Sequence, residues 1–135
     1  MQLSNATRIA IGLILLTVPT IQFGGYFLLT QMGKNKVIRT ELQRSYYRAG
    51  HAHAGVLVLL ALIAQLTIEA TRLSDPLQFL VRGGFAIAPI LISAGFFGGA
   101  PREGTKPTQL IMLIYLGSIV LAASLLTLGL GLILQ

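Results

Sequence analysis

The chain has 135 residues, 54% of them hydrophobic and 10% charged, with no cysteine and a formal net charge of +6. Soluble domains run near about 25% charged, so a chain this short and apolar has too little polar surface to face water on all sides and needs lipid as its solvent. The missing cysteines exclude disulfides, thiolate metal sites, iron–sulfur clusters and cysteine nucleophiles. The basic excess fits membrane topology and anionic headgroups rather than nucleic acid, since no folded recognition module accompanies it.

Four apolar runs predict an all-α integral membrane protein, a four-helix transmembrane bundle forming one domain over residues 1–135. The first runs over about 9–31, interrupted by Pro19 and holding Gln22. A basic loop over 32–50 follows, in which Val37, Ile38, Leu42, Ser45, Tyr46 and Ala49 recur at helical spacing and predict an interfacial helix leading into the second span. The second span is placed at 51–70, the third at 77–100 and the fourth, free of charge, at 108–134. Each approaches or exceeds the roughly 20 residues that a helix needs to cross about 30 Å of hydrocarbon. Between the second and third spans, Asp75 reads as a helix cap, with Pro76 in the first helical position and Gln78 as capping-box partner.

Loops one and three hold seven Lys and Arg (Lys34, Lys36, Arg39, Arg44, Arg48, Arg102, Lys106), against Arg8, Arg72 and Arg82 on the other side. That asymmetry predicts a multi-pass protein of the bacterial inner membrane with both loops cytoplasmic and both termini extracytoplasmic.

Read at steps of three and four, Arg44, Arg48, His51, Gly55, Val58, Leu62, Gln65, Glu69 and Arg72 fall on one helical face. Such a seam should face other helices or a wet cavity, because lipid makes each polar group costly. Gln65 and Glu69 are read as interhelical hydrogen-bonding groups, with Arg72 an i,i+3 partner for Glu69, or as the lining of a proton or ligand path. Arg82, one or two turns into the third span, should snorkel outward or reach Glu69 or Asp75. Small-residue pairs Gly84/Ala88, Ala94/Gly98 and Gly95/Gly99 in span three, and Ser118/Ala122 and Ala123/Thr127 in span four, predict close helix approach. Pro19 and Pro89 are expected to kink their helices.

His51 and His53, the chain's only histidines, point about 200° apart on a regular helix and cannot chelate one metal together. A closed zinc site also lacks further ligands, whereas haem needs one axial His per iron. His51, His53, Arg48, Arg44 and Tyr47 are therefore the candidate cofactor-binding residues. His51 is the expected axial or hydrogen-bonding ligand, and the arginines are partners for a carboxylate or phosphate.

Arg48-Ala-Gly-His51-Ala-His53-Ala-Gly55, followed by an aliphatic run, resembles a group of small bacterial four-span membrane proteins. More distantly it is similar to small proteins with a His-Ala-His element at a span start, which resemble part of the haem–copper oxidase large subunit. This chain lacks the further histidines of such a centre.

Three functions follow as expectations. The first is non-enzymatic binding of haem, or another planar or anionic redox cofactor, at the His/Arg cluster on the cytoplasmic edge. The second is a non-catalytic accessory subunit, joined to a membrane-protein partner or to copies of itself. The third is a small transporter or proton path along the Gln65–Glu69–Arg72 seam.

Overall fold

A computed structural model describes residues 2–32 and 36–134. Lys34, counted above with the basic loop, lies outside the described residues. Helix α1 spans Asn5–Gln31 and runs through Pro19. It starts four residues before the apolar run because Ser4 caps it, its Oγ accepting from the Thr7 amide at 3.2 Å.

The linker does not form the helix expected from Val37. Ile38 is fully buried, and its amide donates to the Gln31 carbonyl at 3.0 Å, which holds the segment extended. Helix α2 (Glu41–Thr67) starts only after Thr40, where a capping box closes. The Gln43 amide donates to Thr40 Oγ1 at 3.1 Å, and Gln43 Oε1 accepts from the Thr40 amide at 3.1 Å. Loop and second span are thus continuous helix from Glu41 onward. Thr40→Ala should lower the unfolding free energy by about 1 kcal/mol, measured by denaturant titration in micelles.

A 3₁₀ turn, Ile68–Ala70, ends the second span, and α3 follows over Asp75–Gly99. The cap position belongs to Ser74, which has an extended backbone, rather than to Asp75. That shift moves Gln78 one place too far along for a capping box, and its side-chain amide donates back to the Leu73 carbonyl at 2.9 Å. A second 3₁₀ turn, Gln109–Ile111, leads into α4 (Met112–Ile133).

All four helices are long and apolar enough to cross a membrane, and the chain is an all-α four-helix membrane bundle. In space α3 lies between α2 and α4, while α1 leans on α2 and barely touches α3. The core runs along Val58, Ala61 and Ala64 of α2, Ile68 of the 3₁₀ turn, and Val81, Phe85, Ala88 and Ile92 of α3, with Ile14 and Leu128 reaching in from the outer helices.

Close backbone approach holds α3 to α4, as membrane helices demand when burial alone gives no driving force. A Cβ at Gly84 would lie 1.9 Å from Ser124 Oγ, and one at Gly95 would lie 2.8 Å from the Ile114 backbone nitrogen. The expected pairs Gly84/Ala88 and Gly95/Gly99 are buried on this face. On α4 the buried line is instead Gly117, Ser124 and Leu128, while Ser118, Ala122 and Ala123 are exposed. Apolar all round, α4 has no polar stripe to mark its contact face, and the small pairs expected to do so miss the buried line.

Candidate functional site

The polar seam of α2 ends in a compact network at the end of the bundle that holds the start of α1. Gln65 is fully buried, and both ends of its amide are used. Its NH2 donates to the Arg82 carbonyl at 3.2 Å, and its Oε1 accepts from the Arg82 guanidinium at 3.1 Å. The same guanidinium donates to Thr7 Oγ1 at 2.6 Å and to Glu69 Oε1 at 3.0 Å. Glu69 also accepts from Ser4 Oγ at 2.6 Å and from the Thr7 hydroxyl.

The partner of Glu69 is therefore Arg82, 13 residues away, and not the adjacent Arg72, which is exposed. Arg72 lies past the α2 helix, beyond the 3₁₀ turn, so the helical i,i+3 geometry assumed for the pair is not in force there. Ser4 and Thr7 were not singled out from sequence. The signal was present as a hydroxyl pair three residues apart, next to the start of the first span.

At the opposite, basic end, the five candidate residues separate onto different faces. His51 is half-buried in the seam between α1 and α2. A Cβ at Gly24 would lie 3.4 Å from its Nδ1, and one at Gly25 3.3 Å from Cε1 and Nε2, so the ring edge carrying both nitrogens rests against α1. Two crevices meet at this ring. One, about 460 Å³, is bounded by Gly25, Leu28, Leu29, Met32, Arg48 and His51. The other, about 410 Å³, runs deeper along Val18, Ile21, Gly55, Val56 and Leu59. Arg48 is exposed at the outer mouth.

His53 is exposed on the other side of α2, its Nδ1 2.7 Å from the Ala49 carbonyl and its ring 4.9 Å from that of Phe96. Gly50 permits this packing, since a Cβ there would lie 3.0 Å from Phe96 Cβ. Tyr47 sits between Phe27 and Phe97, at centroid distances of 5.9 and 5.4 Å. Arg44 pairs with Glu41 one turn earlier, leaving its buried Nε without a partner.

The structure thus brings His51 and Arg48 to one crevice, and sends His53, Tyr47 and Arg44 elsewhere. Among the described residues no three His, Cys, Asp or Glu side chains gather where they could hold a metal ion. Axial ligation of haem needs clear space in front of a ring nitrogen for the macrocycle. At His51 the α1 backbone stands there, so haem fits only if α1 moves aside. A hydrogen bond from either nitrogen needs far less room.

No protein family, curated protein or solved structure matches the chain.

Proposed function

We propose that this chain is a non-enzymatic, ligand-binding protein of the bacterial inner membrane, with its basic end in the cytoplasm. Its ligand is a lipid-soluble redox molecule with a flat polar head and an apolar tail. The observation that carries this reading is the position of His51 where two crevices join, with Arg48 at the membrane edge and only apolar side chains beyond. A head group hydrogen-bonded to His51 and facing Arg48 leaves its tail in the deeper crevice. Entry is sideways from the bilayer, which suits a ligand that partitions into lipid.

The test is the absorbance spectrum and extractable mass of whatever leaves the membrane with the purified protein, followed by titration with a short-chain quinone and with haem. His51→Ala should weaken binding of the retained molecule about 10-fold, the usual worth of one hydrogen bond in a desolvated site. Arg48→Gln should weaken an anionic head similarly. A Soret band that depends on His51 would narrow the ligand to haem. If nothing is retained and neither probe binds in a His51-dependent way, the reading fails.

A second reading has its own observation. Where α1 and α3 diverge, a lateral crevice of about 380 Å³ opens, walled by Ala6, Ala10, Gly83 and Ala86 over Val58 and Ala61. These small residues leave a hollow between larger neighbours such as Leu13, Phe79 and Ile90, which suits a side chain of an incoming helix, from a second copy or another membrane protein. The chain has no cysteine, so Ala86→Cys gives a clean report. Disulfide-linked dimers in native membranes would support self-association, and a monomer with no co-purifying partner would remove it.

A further inference from the structure

Separate from the His51 crevice, the basic end carries a bowl of about 880 Å³ between the linker, the start of α2 and the loop joining α3 to α4. We infer that this bowl is a binding site for the phosphate of an anionic phospholipid headgroup. Arg39, Arg102 and Lys106 ring it against the single carboxylate of Glu103. The ion pairs among the described residues lie elsewhere, at Glu41–Arg44 and Glu69–Arg82. Three cations therefore converge on one space with little internal neutralisation, and a phosphate supplies the missing charge.

The loop that presents these cations is built. Gly104 adopts φ +74°, and the Thr105 amide closes the turn onto the Arg102 carbonyl at 3.0 Å. The Thr108 hydroxyl and amide donate to the Gly98 and Gly99 carbonyls at 2.7 and 3.2 Å. Those carbonyls form the negative end of α3, and the Thr108 donors partly offset the repulsion that an anion would meet there. Tyr47 and Phe97, edge to face at 5.4 Å, make the inner wall. Val37, 60% exposed, stands on the rim. The aromatic wall and exposed Val37, at the ends of two spans, suit headgroup depth, which favours a lipid phosphate over a soluble one.

The experiment is native mass spectrometry of the whole protein released from nanodiscs of phosphatidylglycerol or phosphatidylcholine, with inorganic phosphate as a competing soluble anion. One phosphatidylglycerol per chain should be retained at least 10-fold over phosphatidylcholine. Arg102→Gln with Lys106→Gln should abolish that preference without changing the melting temperature. Glu103→Gln should strengthen retention, which guards against loss through misfolding. His51→Ala should leave it unchanged, so this inference and the crevice reading fail separately. Equal retention of the two lipids, an unaffected double variant, or displacement by millimolar inorganic phosphate would each overturn the inference.

Discussion

Arg82→Ala should destabilise the bundle by about 3 kcal/mol, because it leaves Glu69 charged without its counter-ion and strands the buried Gln65 Oε1 without a donor. The two partners are only 15% and 19% exposed, so water can offset little of the loss. Removing both charges together, with Glu69→Gln and Arg82→Met, should cost less than Arg82→Ala alone. Denaturant titration in mixed micelles, monitored by circular dichroism, measures all three. An Arg82→Ala protein as stable as the parent would mean that the network is incidental to the fold.

The second large effect is expected at Gly95. Its Cβ would meet the Ile114 backbone nitrogen at 2.8 Å and Ile114 Cγ1 at 2.6 Å, and no rotamer change can move the backbone atom. Gly95→Ala should therefore force α3 and α4 apart and cost about 2 kcal/mol. Gly12 and Gly129 have nothing within 4 Å of a built Cβ, so alanine there should be neutral or slightly stabilising. If the three substitutions behave alike in the same titration, helix propensity and not close approach decides the outcome.

The helical class and the number of spans were legible because apolar runs of about 20 residues admit few other solutions. Boundaries were less so. Hydropathy marks where lipid begins, whereas Ser4, Thr40 and Ser74 set where the backbone turns helical, and each begins its helix before the apolar run does. On the α2 face marked by polar spacing, Gln65 and Val58 are buried, while Arg48 and Arg72 are exposed. The partners across that face were not legible, since periodicity within one helix carries no information about which residue of another helix lies opposite. Hence Glu69 was paired with nearby Arg72, although reaching Arg82 among the alternatives was foreseen. The angular separation of His51 and His53 followed from helix geometry alone. That His51 would rest on Gly24 and Gly25 did not, because those glycines belong to a different span.

The network at Arg82 also bears on how the chain is made. Thr7 and Arg82 lie 75 positions apart, so the leading segment enters the bilayer well before the guanidinium that secures it has been synthesised. Until then Glu69 and Gln65 lack the guanidinium that joins them, so a chain cut short before Arg82 should hold its first two segments together less firmly.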